Sequence, residues 1–392
     1  MAGALQGIKI LDLTWGVAGP LGVLMLAEQG ADVIKIEPPG GDPFRTMPGA
    51  PVWLRSRQSV VLNLKQSIGR EALLRLVETA DVIVESFSPG TMDALGLSYE
   101  VVAARNPKII YASLQAYPHG HRYEKRAGWD ALVQARSGAQ FEQPAWRPGP
   151  AHLHMQIPSM GAFFLLSTAI LAALYAREDI GRGQHVRTSL FQGVLAYTTM
   201  LWQDVENLHA PDSLIMAKTS PPGVHQTSIF ECARGEWMHA GVNVGRVATS
   251  TMEEILGVEA ADQARLTSDP AYRLAHTNNL RSAFFNRDRT ELCKTFFDAG
   301  IGADPILSPV EMYNYPQFGA NNMAVQVEDP ELGVMTQVGI APVLLGTPGA
   351  VQGPRPVVGA DTRKVLASAG FSPTDVDDLI ASTSTGSMKA GK

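Results

Sequence analysis

This sequence predicts an α/β protein: a large domain built on a Rossmann-like parallel sheet, and a smaller α+β domain set into the chain. Three observations predict it. Over the first ~115 residues, short β-branched runs alternate with helical segments, as a doubly wound parallel sheet requires. A long apolar helical stretch follows an irregular segment at about 116–158. From about residue 225 the pattern changes to shorter strands and charged helices. The boundaries read as 1–205 for the first part of the large domain, 225–325 for the small domain, and 326–392 for a return to the large one.

Ile8-Lys9-Ile10-Leu11-Asp12-Leu13 reads as a buried first strand, leading through Gly16 and Gly19-Pro20 into a helix over 21–29 closed by Gly30. Ala31-Asp32-Val33-Ile34-Lys35-Ile36-Glu37 is a second strand, ended by Pro38-Pro39-Gly40-Gly41-Asp42-Pro43. Residues 59–64 form a third strand, 69–79 a helix, 81–85 a fourth strand, 92–95 a short helix and 108–113 a fifth strand. In such sheets the ligand lies outside the carboxyl ends of the strands. The apolar run 161–176 is shorter than the ~18 residues of a membrane span and reads as a buried helix. In the second domain, 229–232 is a strand and 289–298 a helix, while 355–371 reads as a loop and helix, and 382–392 as a tail.

The chain has 392 residues, 45% hydrophobic and only 18% charged. That charge content is below the roughly 25% of typical soluble proteins and points to surface hidden in a large core or an oligomer. A net charge of −6 and the lack of a basic stripe interleaved with aromatics argue against nucleic acid as a partner. No membrane segment or targeting signal is expected, so the chain reads as cytoplasmic. Cys232 and Cys293 show neither metal nor redox spacing and read as free thiols.

Several motifs carry a resemblance. They are Leu11-Asp12-Leu13-Thr14, the stretch Gly30 through Pro43 just quoted, and Glu85-Ser86-Phe87-Ser88-Pro89-Gly90. Asn106-Pro107-Lys108-Ile109-Ile110-Tyr111-Ala112-Ser113, Gly181-Arg182-Gly183-Gln184 and Gly359-Ala360-Asp361-Thr362 complete the set. In this order they resemble the family III CoA-transferases, the CaiB/BaiF group that includes formyl-CoA and carnitine-CoA transferases and α-methylacyl-CoA racemase. The resemblance implies an interlocked homodimer and coenzyme A or an acyl-CoA as substrate, with no metal. It places Lys35, Arg55, Arg57, Phe87 and Pro89 at the CoA site, where cations suit phosphates and flat apolar surface suits adenine.

One feature of that family is missing. Its transferases use an aspartate nucleophile at the start of the long apolar helix, about 25 residues before the Gln of Gly-Arg-Gly-Gln. Counting back from Gln184 gives Ser159, and no Asp or Glu occurs anywhere between Glu142 and Glu178. The racemase branch pairs the aspartate with a histidine, but the corresponding tripeptide here is Gly128-Trp129-Asp130. Trp129 cannot accept a proton. Asp130 is either a structural carboxylate or a catalytic one.

Ser159 with His154 (in Ala151-His152-Leu153-His154-Met155) could form an acyl-enzyme, or Ser159 could simply cap the helix. His119 and His121 add a second His-x-His pair, a weak metal signal without a nearby carboxylate or cysteine. Glu236 matches a family turn facing the partner's site and is a distant candidate base. Phe163, Phe164, Trp129 and Trp146 suit either a bulky acyl chain or core packing.

The sequence therefore leaves three functions open. One is an acyl-CoA enzyme that moves CoA between acyl groups, or converts a thioester, without the aspartate. Another is a CoA-binding protein or partner subunit without turnover. The third is a 2-methylacyl-CoA racemase, whose signature would be exchange of the α-proton with deuterated water.

Overall fold

A computed structural model describes residues 3–142, 150–195, 197, 229–240 and 249–384. The chain divides into two compact units. One comprises Met1–Glu142, Ala151–Glu206 and Asn322–Lys392, the other Gln143–Pro150 and Asn207–Asn321.

The first unit is a six-stranded sheet of order β3-β2-β1-β4-β5-β6, every pair parallel. The strands are β1 (Lys9–Leu13), β2 (Asp32–Glu37), β3 (Gln58–Val61), β4 (Val82–Glu85), β5 (Ile110–Gln115) and β6 (His185–Ser189). Their near-continuous Val, Ile and Leu runs are what a sheet covered on both faces demands. Leu11, Ile34, Val60, Ile83 and Tyr111 pack on one face against α3 (Ser67–Val77) and α5 (Tyr99–Arg105). Ile10, Val33, Val82, Ala112 and Val186 pack on the other against α1 (Ala18–Glu28) and α8 (Ile157–Ile180).

The strand order reverses between β1 and β4, which makes the crevice beyond their carboxyl ends the expected ligand position. The edge strand β3 is not left open. Asp361 Oδ2 accepts from Ser59 N at 2.9 Å, and Thr362 Oγ1 accepts from Val61 N at 3.1 Å. The Gly359-to-Thr362 motif thus covers an edge that would otherwise pair with another chain.

The fifth strand begins two residues later than expected, and α5 was not anticipated at all, because Asn106-Pro107 hides its end. The long apolar helix also reaches further than its apolar run. Among the described residues it is the one helix long and apolar enough to cross a bilayer, and half of its most apolar stretch is buried. It stops at Gly181 (φ 70°), with Arg177 ion-paired to Asp81 at 2.9 Å. Near its start, α8 crosses α9 (Leu190–Leu195) closely enough that a Cβ on Gly161 would lie 2.1 Å from Gly193 O. Only glycine permits that approach.

After the second unit, β10 (Ala324–Asp329) and β11 (Gly333–Val338) form an antiparallel hairpin with no counterpart in the sequence reading. Arg355 holds it through a two-pronged contact with Asp329 at 2.6 and 3.1 Å. A helix spans Pro373–Ser384 and so includes the first residues of the tail expected from 382, while residues 385–392 lie outside the described residues.

The second unit contains an antiparallel sheet of β7 (Ile229–Glu231), β8 (Trp237–Ala240) and β9 (Ala303–Ile306). Phe230, Phe284 and Phe296 form its core, with the first two rings stacked 3.9 Å apart. Asp262, Asp269 and Asp288 each cap a helix by accepting from two backbone amides, which offsets the unpaired N–H groups there. Cys232 is buried, and burial pushes its thiol up to about 11, so it is inert at neutral pH.

Candidate active site

The carboxyl ends of β1 and β2, together with the segment that leads into β3, carry a cluster of buried charge. Arg57 Nη1 donates to Asp12 Oδ2 at 2.6 Å, and its other nitrogens bond the Arg55, Pro20 and Trp53 carbonyls. Lys35 Nζ lies 3.1 Å from Asp42 Oδ2 and 3.8 Å from Asp12 Oδ2, and also donates to the Thr14 carbonyl. Arg45 clamps Glu37 with two 2.7 Å bonds. Burial alone would raise Glu37, but Arg45, Ser59 and Lys35 more than offset it and hold it below its ordinary value.

Arg55 Nε donates to Glu28 Oε1 at 2.7 Å and Arg55 Nη1 to Gln337 at 2.9 Å. Lys35 and Arg55 are each 1% exposed and Arg57 8%. Lys35, Arg55 and Arg57, which the resemblance places at the CoA site, thus each lie under the surface beside a carboxylate. Lys35 ties the loop after β2 through Asp42, Arg55 ties to α1 through Glu28, and Arg57 ties to β1 through Asp12. Losing one partner of such a pair costs about 3–5 kcal/mol, which is reason enough for these residue types.

Phe87 and Pro89 lie differently. At the switch point Trp15 N donates to Ser86 Oγ at 2.7 Å, and Trp15 meets Phe87 edge-on at 5.1 Å. Both rings are partly exposed, so this end of β1 and β4 presents a flat apolar surface. Pro89 lines a neighbouring cleft of about 180 Å³ with Glu85, Ser113, Tyr99 and His185.

In that cleft Ser113 Oγ lies 2.9 Å from His185 Nε2 and also bonds Glu85. Burial raises Glu85, against the hydrogen bonds from Ser113 and Phe87 N. Burial, aided by the charge of Arg187, lowers His185 to about 4. The pair is thus biased toward a neutral imidazole and a protonated acid. This polar chain was missed from sequence. The signal was available: Ile83 and Glu85 share one face of β4, so a carboxylate occupies a core-facing position.

The start of α8 supplies the third group. Helices of a doubly wound sheet run against the strands, so the amino end of α8 lies on the side of the strand carboxyl ends, where its free amides favour an anion. Ser159 does not cap this helix: Gln156 is the N-cap position and Ser159 is the third helical residue. The capping carboxylate comes from elsewhere. Asp130 begins α6 (Asp130–Ser137), and its Oδ2 accepts from Ser159 N at 2.9 Å while Oδ1 accepts from Gln134 at 2.9 Å. Sequence reasoning had both residues, 29 positions apart, but not their contact.

His154 and His152 are exposed, and no hydrogen bond joins His154 to Ser159 among the described residues. His119 Nδ1 instead meets Glu124 Oε1 at 2.7 Å. Trp129 is 66% exposed and 6.4 Å from Phe44, Phe164 is 49% exposed, and Trp146 lies outside the described residues. Glu236 pairs with Arg234 at 3.3 Å and Arg289 at 3.6 Å within the second unit. Among the described residues no three His, Cys, Asp or Glu side chains converge as a metal site.

Comparison with known proteins agrees with this architecture. The profile of CoA-transferase family III matches residues 5–362. The chain is 28% identical to succinyl-CoA–D-citramalate CoA-transferase of Chloroflexus aurantiacus, over 92% of this chain and 93% of that protein. It is 30% identical to formyl-CoA:oxalate CoA-transferase of Rhodopseudomonas palustris, over 97% and 96%. The crystal structure of a CAIB/BAIF family protein from Brucella suis superposes with a TM-score of 0.77 at 25% identity, over 94% of this chain and all of that one. With its six-stranded parallel sheet, its family motifs in order and a match across nearly its full length, this chain belongs to CoA-transferase family III.

Proposed function

We propose that this protein moves CoA between acyl groups without an enzyme carboxylate as nucleophile. One observation carries the reading: the first turn of α8 holds Ser159, and the one carboxylate bonded there among the described residues, Asp130, is occupied as a cap. A serine is poorly suited to replace the aspartate. An aspartyl anhydride is activated toward thiolate, whereas a seryl ester is more stable than the thioester it would have to regenerate.

The route that needs no nucleophile is a ternary complex. The acceptor carboxylate attacks the donor thioester carbonyl and expels CoA thiolate, forming a mixed anhydride of the two acids. The thiolate then attacks the acceptor acyl carbon, releasing the donor as a free carboxylate. The protein's part is to align both substrates, hold the thiolate and exclude water. Phe87 and Trp15 offer the apolar surface for CoA, in keeping with relatives named for CoA transfer between acids.

The test is mass spectrometry of the protein with acyl-CoA and free-acid pairs, using wild type, Ser159→Ala and Asp130→Asn. The reading expects a new thioester from wild type and Ser159→Ala alike, with no adduct on the protein. An acyl adduct on Ser159, or loss of transfer in Ser159→Ala, would sink the ternary route. A second reading, CoA binding without turnover, draws on both Asp130 oxygens being engaged. It gains if thioesters bind and return unchanged.

A further inference from the structure

The loop after β5 carries a feature that the proposed reaction does not use. Its two ends are pinched together, since a Cβ on Gly128 would fall 1.7 Å from Ala116 Cβ. The intervening residues therefore project as a closed loop beside the start of α6. On this loop and helix three guanidinium groups gather on one ring. Arg122, Arg126 and Arg136 stand 4.8, 4.9 and 4.4 Å from the centroid of Tyr123, and Arg122 also donates to its hydroxyl at 2.8 Å. All three arginines are exposed.

Among the described residues none of the three forms an ion pair. The nearest acid in sequence, Glu124, is occupied by His119 at 2.7 Å and by Gly120 N at 2.9 Å. Like charges held this close repel, and the electron-rich ring face only partly offsets that. The proximity of Arg122 pulls the Tyr123 phenol below its ordinary value, an effect of concentrated positive potential. A second observation points the same way. Beneath the cluster the Tyr117 hydroxyl, on a residue 3% exposed, has no hydrogen-bond partner among the described residues, although buried hydroxyls ordinarily have one. Its ring is 6.4 Å from that of Tyr123, with Arg136 6.0 Å above it.

We infer that Arg122, Arg126 and Arg136 form a subsite for an oxyanion, and that the anion is a second carboxylate on the acyl group being transferred. A planar carboxylate matches the guanidinium fork. The cluster's position selects the acyl end of the substrate: Arg136 lies on the same short helix as Asp130, whose carboxylate holds the start of α8. This inference rests on the proposed function and narrows it to dicarboxylic acids and their mono-CoA thioesters. A phosphate of CoA is the other source of the same chemistry, and the test separates them.

Calorimetric titration of the full-length protein would use succinyl-CoA, butyryl-CoA, CoA, dephospho-CoA and free succinate. Wild type is expected to bind succinyl-CoA about tenfold tighter than butyryl-CoA, which has the same chain length but no second carboxylate. The Arg126→Ala/Arg136→Ala double variant should lose that preference while its butyryl-CoA affinity stays within about twofold. Arg136→Lys should fall between, keeping the charge but not the fork. An unchanged circular dichroism spectrum and Tm would show that the variants are folded.

If the double variant weakens CoA and butyryl-CoA as much as succinyl-CoA, and binds dephospho-CoA as wild type does, the cluster holds a CoA phosphate and the carboxylate assignment is wrong. Equal preference in variant and wild type, or none in either, also overturns it. If no thioester binds at all, the proposed function fails. Free succinate then decides the subsite by itself: binding lost in the double variant sustains it, and no binding to wild type rejects it.

Discussion

Two clusters of charge in the first unit are built on opposite plans. Around the carboxyl ends of β1 and β2 and the entry to β3, four cations each have a carboxylate: buried Arg57 with Asp12, Lys35 with Asp42 and Arg55 with Glu28, and partly buried Arg45 with Glu37. On the loop after β5, three arginines share one tyrosine ring, lie exposed and have no acid among the described residues. A charge matched internally serves the fold, because in low dielectric it can be stable only with its partner. A charge left unmatched at the surface adds little to stability and keeps its potential for a ligand. Basic residues near a ligand-binding edge therefore cannot be ranked by position alone; what matters is whether the chain has already supplied the counter-ion.

The comparison can be broken most forcefully at Asp12. Asp12→Ala should cost about 3–5 kcal/mol in urea unfolding, since it strands the buried Arg57 and deprives Lys35 of one partner. A loss below ~1 kcal/mol would mean that water reaches the cluster. Asp130→Ala should cost about 1–2 kcal/mol, because the Ser159 amide and Gln134 lose their acceptor, whereas Ser159→Ala should change stability by under ~0.5 kcal/mol. Comparable losses from the two would refute Asp130 as the cap.

A pH titration sharpens the comparison further. His185 is half-buried, and its folded value is lowered to about 4 from the ordinary 6.5. The folded state thus binds the proton less well than the unfolded chain. The stability this contributes is present above pH 6.5 and is lost as pH falls through about 4. Imidazole signals followed by NMR should titrate near 4, and a midpoint near 6.5 would mean the cleft is open to solvent. The smallest effect belongs to the exposed cluster. Arg126→Ala should alter unfolding free energy by no more than ~0.5 kcal/mol. A loss of 2 kcal/mol would make that cluster structural after all.

Much of the fold was legible. The strands appear as Val- and Ile-rich runs, and the Gly and Pro breakers after β2 mark its end, because local composition sets both. What could not be read is equally specific. Lys35, Arg55 and Arg57 have the composition of a phosphate site, yet they are paired with Asp42, Glu28 and Asp12, the last of them 45 residues from Arg57 in sequence. Tyr117, Tyr123 and Arg136 are spaced in sequence like any loop and helix, and only the pinch at Gly128 brings them together.

By itself, the sequence determined the parallel α/β architecture, the family, and the lack of any acidic residue between Glu142 and Glu178. These depend on local periodicity and on which residues are present. Only the tertiary structure decided which charges are neutralised and that Asp130, not Ser159, caps α8. It alone set the environments of Glu85 and His185 too. The physical reason is common to all of these. Electrostatic roles are set by burial and by neighbours within a few ångströms, and those neighbours come from distant parts of the chain that folding alone brings together.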